Sequence, residues 1–314
     1  MGSLNCKCES EEDKTVLVES LGKQKLDLKN QGSAAPIIPP KFSDAILNHI
    51  NEVPPVIKEV WDSLGRYKFD KDDEDEDDIT EWKTFKQDDG LYIGESINNL
   101  PSGRGIKIYK DGNLVEGYWQ DGVLCGKGRM IHINGDYYIG NFENGKINGL
   151  GVLSSHTGAK YDGQWVESKQ EGNGKELWPD GAEYIGDFKN GVKCGKGTFW
   201  WRDGSTYQGE FFNNNIHGFG RYEWSDGRKY EGEWVESKMH GKGTFFWPNG
   251  RIYEGEFVND LKQGQGKLTW PDGKVYIGGW MNGKRHGIGN MNINSTTSKK
   301  GEWKNGIRIK WIDV

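Results

Sequence analysis

One spacing constrains this chain more than any other property: a five-residue pattern returns every 23 residues. Tyr230-Glu-Gly232-Glu-Trp234 is followed at that distance by Tyr253-Glu-Gly255-Glu-Phe257, and then by Tyr276-Ile-Gly278-Gly-Trp280. Backwards, the register passes through Tyr207, Tyr184, Tyr161, Tyr138, Val115 and Tyr92 with no insertion or deletion. A Gly-x-Gly pair travels with it, from Gly103/Gly105 to Gly287/Gly289. So does a turn glycine, usually after Asp or Asn, from Gly112 to Gly273. A fixed period of roughly 20–50 residues signals stacked units that each lean on their neighbours. Nine full repeats are present, followed by a partial one at Gly301-Glu-Trp303. Positions below are counted from the Tyr230-type residue as position 1.

Each repeat reads as a β-hairpin. Positions 1, 3 and 5 alternate with polar residues, which is strand periodicity with the rings on one face. Asp121-Gly122, Asn144-Gly145, Asn190-Gly191 and Asn282-Gly283 are hairpin-turn dipeptides. A second run follows, as in Gly241-Lys-Gly243-Thr-Phe245-Phe-Trp247. Here the glycine count matters: 47 glycines stand beside 14 tryptophans, 13 tyrosines and 12 phenylalanines, and all but four glycines lie after residue 89. Glycine weakens a strand unless a ring from a neighbouring strand covers the gap. The expectation is that glycines at positions 3, 12 and 14 make room for rings. Trp178, Trp201, Trp224, Trp247 and Trp270 recur at the same period and form a candidate partner-binding aromatic ladder. The other face carries Glu231, Glu233, Glu254 and Glu256 opposite Lys242, Thr244 and Lys267, and reads as solvated.

One hairpin cannot stand alone, but a stack can. The fold class is therefore all-β: an elongated single-layer antiparallel sheet of stacked 23-residue hairpins, about 90–100 Å long at ~4.8 Å per strand. Residues 79–314 form this unit, with an opening half repeat at Ile79–Phe85 and a closing strand at Ile307–Ile312.

The combination Tyr-x-Gly-x-Trp/Phe, Asn-Gly, Gly-x-Gly, Asp-Gly resembles the MORN repeat (membrane occupation and recognition nexus), over about residues 90–306. Departures fall where caps are expected: Ser96, Val115 and Ser155 early, Thr296 and Lys299 late. The resemblance implies a non-catalytic scaffold. It is similar to proteins of membrane–cytoskeleton junctions, cilia and radial spoke heads, and to repeats fused to lipid kinases or methyltransferases. It also brings the proposal of phospholipid binding, which is not universal in the family.

The first part of the chain differs. Residues 1–40 read as a polar tail, 41–66 as short amphipathic helices (Ser43 to Ile50, then Val56, Ile57, Val60, Trp61 and Leu64 after Pro54-Pro55), and 67–78 as an acidic linker. The second helix is expected to pack on the repeats rather than on a partner. Met1-Gly2-Ser-Leu-Asn-Cys6-Lys-Cys8 resembles an N-myristoylation site with palmitoylatable cysteines, with Cys6 where Ser or Thr is preferred. Gly2, Cys6 and Cys8 are the candidate lipidation residues, and stable anchoring needs two acyl chains. The run Asp70–Asp78 with Glu81 has the carboxylates of a calcium loop. It places Asp75 where the turn needs glycine, and no second helix follows, so it reads as a solvated acidic or partner-binding run.

No catalytic constellation emerges. Cys125, Cys194, His217, His240 and His286 share position 11, so neighbours lie about 10 Å apart or more, too far for one zinc ion or a disulfide. Gly-x-Gly never extends to a phosphate loop, and no His-Glu-x-x-His or Gly-x-Ser-x-Gly occurs. The formal net charge of −6 disfavours nucleic acid. No run is long and apolar enough to span a membrane and no secretory segment opens the chain. The expected reading is a non-enzymatic scaffold without cofactor, metal or small-molecule substrate. It binds proteins of a cytoskeletal or ciliary assembly from the cytoplasm. The alternatives are a dual-acylated adaptor on the cytoplasmic face of a membrane and a regulatory subunit of a lipid- or protein-modifying enzyme.

Overall fold

The computed structural model of the chain describes residues 49–50, 53–69, 82–293 and 297–312. Twenty-one strands, β1 (Lys83–Gln87) to β21 (Ile307–Ile312), make one antiparallel sheet. Each strand pairs with the next in sequence, and every connection is a hairpin. Among the described residues β1 and β21 each pair on one side only, so the sheet is open. The helix α1 (Pro55–Leu64) precedes it.

Repeat 7 shows why this sequence folds this way. β14 (Lys229–Val235) and β15 (Lys238–Phe246) are joined by Glu236 and Ser237, both at positive φ (47° and 62°). That two-residue geometry matches the twist of the strands, and Asn-Gly adopts it most readily. At Ser168, Asn214, Ser237 and Asp260, where position 8 is not glycine, the side chain accepts a hydrogen bond from the preceding hairpin. The Ile216 amide donates to Ser237 Oγ (3.2 Å), Met239 to Asp260 Oδ1 (2.8 Å) and Lys193 to Asn214 Oδ1 (2.8 Å). The left-handed backbone costs about 1–2 kcal/mol and the bond returns about 1 kcal/mol. Ser237→Gly is therefore expected to be nearly neutral. Ser237→Ala, which keeps the strain and loses the bond, is expected to lower stability by about 1 kcal/mol in a denaturant melt.

The glycine expectation holds at two positions and fails at the third. Tyr230 folds back over Gly232 and Gly243. A Cβ on Gly243 would lie 2.5 Å from that ring, and one on Gly232 would lie 2.5 Å from the Gly243 Cα. The Tyr230 hydroxyl donates to the Glu233 carbonyl at 3.0 Å, and the same bond recurs at Tyr92, Tyr138, Tyr161, Tyr184, Tyr207, Tyr253 and Tyr276. Burial pushes these phenols above their ordinary pKa. Position 12 accommodates no ring. Gly241 sits at a bulge, where the register jumps from Gly232↔Gly243 to Glu233↔His240, with φ +54°. A Cβ there would strike the Glu233 carboxylate, which accepts the Lys242 amide (2.9 Å). The third glycine is a backbone requirement, not a ring seat.

The tyrosines therefore form a buried spine. Seven of them have no exposed surface (0%). From Tyr138 onward each meets the position-5 ring of its own hairpin and of the next edge-to-face: Tyr230 lies 5.0 Å from Trp234 and 5.1 Å from Phe257. Edge-to-face contacts add about 0.5–1.5 kcal/mol beyond area burial, so a single layer builds a continuous core along its length.

The opposite face is not uniform. In later repeats it is solvated as expected: Glu254 and Lys267 pair across the strands at 2.8 Å while roughly half exposed (48% and 46%). In the first repeats it is apolar and α1 covers it. Ile57 and Trp61 of the helix pack with Ile93, Ile106, Leu114 and Ile131. Beneath them Glu116 and Arg129 form a buried pair, Arg129 Nε donating to Glu116 Oε2 at 2.6 Å. Trp61 Nε1 donates to Glu116 Oε1 (2.9 Å) and Arg129 Nη1 to the Gly65 carbonyl (2.8 Å). The helix thus packs on the sheet. His49 and Ile50, the end of the first expected helix, are helical, and its remaining residues lie outside the described ones. The closing end differs too: Lys299 replaces the tyrosine, and Trp303 fills the space over Gly301 with Trp311 against it (6.0 Å).

Candidate functional site

The repeated Trp-x-Asp/Asn-Gly turns set the geometry of the candidate site. Trp247 opens the turn between β15 and β16 (Ile252–Val258). Its amide donates to the Arg251 carbonyl, and its own carbonyl accepts the Gly250 amide (both 2.9 Å). Asp or Asn at position 20 accepts the amide two residues on, as Asp226 does from Arg228 (3.1 Å), which fixes the turn. Trp178, Trp201, Trp224, Trp247 and Trp270 all occupy this place, one residue beyond the strand rather than within it. Their rings lean half-buried on the spine.

The ladder is continuous only in part. Ring contacts run Trp178–Phe199 (5.3 Å), Phe199–Trp201 (4.4 Å), Trp201–Tyr222 (4.9 Å), Tyr222–Trp224 (4.5 Å), Trp224–Phe245 (5.4 Å) and Phe245–Trp247 (4.4 Å). They stop where Leu268 replaces the position-16 ring before Trp270. The sheet thus divides its aromatics: a hidden tyrosine spine and, beside it, a strip over repeats 4 to 7 that is partly exposed except at Phe245.

Basic side chains on this face escaped the sequence reading. Position 10 lies across the strands from the position-5 ring. At repeat 5 it is Lys193, whose ammonium lies 4.8 Å from the Trp178 ring centre and 2.5 Å from the Glu176 carboxylate. At repeats 8, 9 and 10 it is Lys262, Arg285 and Arg308. The signal was legible: three successive cations in a column otherwise filled mainly by Leu124, Ile147, Ile216 and Met239.

The remaining sites are simple to place. Cys125 and Cys194 sit half-buried on separate hairpins, and burial raises the pKa of the Cys125 thiol. His156 reaches back to the preceding turn, where Nδ1 and the backbone amide both bond Asp136 Oδ1 at 2.8 Å. Partial burial alone would raise the Asp136 pKa, but hydrogen bonds from His156, Asn134 and Ser155 bring it down to about 2. A carboxyl depressed in the folded state adds stability above its unfolded pKa and loses it as pH falls through the folded value. Asp136→Asn is therefore expected to lower stability at pH 7, by no more than about 1 kcal/mol after solvent screening, and to have a vanishing effect as pH falls through the folded pKa of about 2. Gly2, Cys6, Cys8 and the acidic run Asp70–Asp78 lie outside the described residues. Among the described residues, no group of three or more His, Cys, Asp or Glu could hold a metal ion, and no helix is long and apolar enough to cross a membrane.

A stack of identical hairpins with one buried spine and one half-exposed aromatic strip defines a class: a repeat-built binding scaffold. More particularly, the chain belongs to the MORN repeat family, whose model matches nine consecutive stretches, 92–114, 116–137, 138–160, 161–183, 184–206, 207–227, 230–250, 253–275 and 276–291. No curated protein matches the chain. Among solved structures it is similar to the wild-type TCP10 domain of Danio rerio CPAP, at 10% identity over 56% of this chain and 82% of that one, TM-score 0.33. It is also similar to the SAS-4 (dCPAP) TCP domain of Drosophila melanogaster, solved with a proline-rich motif of Ana2, at 14% identity over 68% and 95%, TM-score 0.28. At these scores the likeness carries no argument about function.

Proposed function

We propose that this chain is a non-enzymatic scaffold that holds partner proteins along its aromatic strip within a cytoskeletal or ciliary assembly. The observation that carries this reading is the division of the aromatics. The tyrosine spine is buried, yet beside it Trp178, Phe199, Trp201, Tyr222, Trp224 and Trp247 stay partly exposed. Half-buried tryptophans on a rigid support lose little conformational entropy on binding and serve as anchors. The tagged full chain is expected to fractionate with detergent-insoluble cytoskeleton. Trp224→Ser/Trp247→Ser should release it to the soluble fraction without loss of strand circular dichroism. A soluble wild-type chain contradicts the proposal.

The N-terminal motif supports a second reading, a dual-acylated adaptor held at the cytoplasmic face of a membrane through Gly2 and Cys6 or Cys8. It predicts that Gly2→Ala moves the chain off membranes, whereas the first reading predicts no change with that variant.

A further inference from the structure

Cations on the aromatic face come in two kinds. Those near the start bring their own carboxylate: Lys107 pairs with Asp89 at 2.7 Å and Lys193 with Glu176 at 2.5 Å. Glu176 stands at position 16 of the hairpin before Lys193. At the far end the same place holds Phe245 before Lys262, Leu268 before Arg285 and Met291 before Arg308. Among the described residues, none of Lys262, Arg285 and Arg308 forms an ion pair.

Lys262 and Arg285 are partly buried among rings, Arg285 also donating to the Gly306 carbonyl (3.3 Å), and Arg308 stands exposed beside one ring. Lys262 Nζ lies 4.6 Å from the Trp247 ring centre, 5.3 Å from Tyr253 and 5.4 Å from Trp280. Arg285 lies 5.6 Å from Tyr276, and Arg308 lies 4.3 Å from Trp311. Arg251 shares the Trp247 ring with Lys262 at 5.4 Å. Burial, and then the charge of Arg251, lower the Lys262 pKa, so the site favours an incoming anion. An unpaired, partly desolvated charge is costly, and supplying its counter-charge relieves that cost.

We infer that Lys262, Arg285 and Arg308 form a docking track for an acidic, extended segment of a partner protein. This rests on the scaffold reading above and names its partner chemistry. Successive cations stand two strands apart, about 10 Å along the sheet. An extended chain advances about 3.3 Å per residue, so one carboxylate at every third residue meets each cation in turn while a residue between lies against the partly exposed Trp247. An anionic membrane fits less well. The cations stand in a single line at position 10 of successive hairpins, which matches an extended chain rather than a two-dimensional surface.

The test titrates the full chain with a fluorescent 12-residue peptide, Glu-Val-Ser repeated, and with its Gln-Val-Ser counterpart. The Glu peptide is expected to bind at least tenfold tighter. Lys262→Gln/Arg285→Gln should abolish that preference and Lys193→Gln should leave it. Raising salt on the wild-type chain should weaken the Glu peptide alone, a readout that needs no variant to fold. Equal binding of both peptides overturns the acidic track and leaves the aromatic-strip reading standing. Binding of neither peptide at millimolar concentration also overturns it. So does binding confined to phosphatidylserine vesicles, which assigns the track to lipid, or self-association abolished by the double variant, which assigns it to a second copy of the chain.

Discussion

Gly243→Ala is expected to destabilise the sheet by about 2–3 kcal/mol, far more than an ordinary glycine-to-alanine change in an exposed strand. The backbone at Gly243 is regular strand, so the effect does not come from φ. It comes from the ring above. The new methyl would lie 2.4–2.5 Å from Tyr230, whose hydroxyl is tied to the Glu233 carbonyl and whose other side is closed by Trp234 and Phe257. The ring cannot rise without losing those contacts. Tyr230→Ala alone should cost about 3–5 kcal/mol, as for other fully buried aromatic truncations. The two effects should not add, because the truncated side chain no longer occupies the space the methyl needs: Gly243→Ala/Tyr230→Ala should be no less stable than Tyr230→Ala. A double-mutant cycle in urea reads this coupling, and additivity would remove the interlock from the account. Gly241→Ala supplies the contrast. Its penalty is one of backbone conformation and the Glu233 carboxylate, so Tyr230→Ala should not relieve it.

The second large effect lies at the N-terminal end. Glu116 and Arg129 are 1% and 2% exposed, and Trp61 and the Gly65 carbonyl add hydrogen bonds to the pair. Removing one partner leaves a buried charge uncompensated. Arg129→Met is expected to cost about 3–5 kcal/mol, while Glu116→Leu/Arg129→Met should recover most of it. The Trp61 bond to Glu116 is lost in the double variant, so α1 should remain docked through Ile57 but exchange its amides faster. Hydrogen exchange over Pro55–Leu64 checks this. Unchanged protection in Arg129→Met would mean that α1 is held by its apolar contacts alone. Because each repeat touches only its neighbours, melting of the last hairpins should hardly respond.

Much of this architecture was legible in the sequence because the repeat imposes one solution 23 residues at a time. Tyr-x-Gly-x-Trp gave the strand face, and Asn-Gly gave the two-residue turns. The regular register from Tyr138 onward left no room for another topology. What escaped depended on three-dimensional neighbours. Gly241 and Gly243 look alike in Gly-x-Gly, yet one is a bulge at positive φ and the other lies under a ring. Glu116 and Arg129 occupy places that are solvated in repeats 7 and 8, and only the helix from residues 55–64 makes them core. Trp201 and Trp234 are both tryptophans on the aromatic face; their positions, 18 and 5, decide that one leans half-exposed while the other is 4% exposed. The cations at position 10 were visible as letters, but their meaning required the residue at position 16 of the preceding hairpin.

Oxidative footprinting of tryptophans, on the full chain alone and bound to its cytoskeletal partner, tests the central division of the aromatics most directly. Trp119, Trp234 and Trp280, all nearly buried, should stay unreactive in both states. Trp201, Trp224 and Trp247 should react in the free chain and become protected in the complex. Protection of the opposite face at Phe212 and Phe219 instead, with Trp201, Trp224 and Trp247 still reactive, would contradict the account.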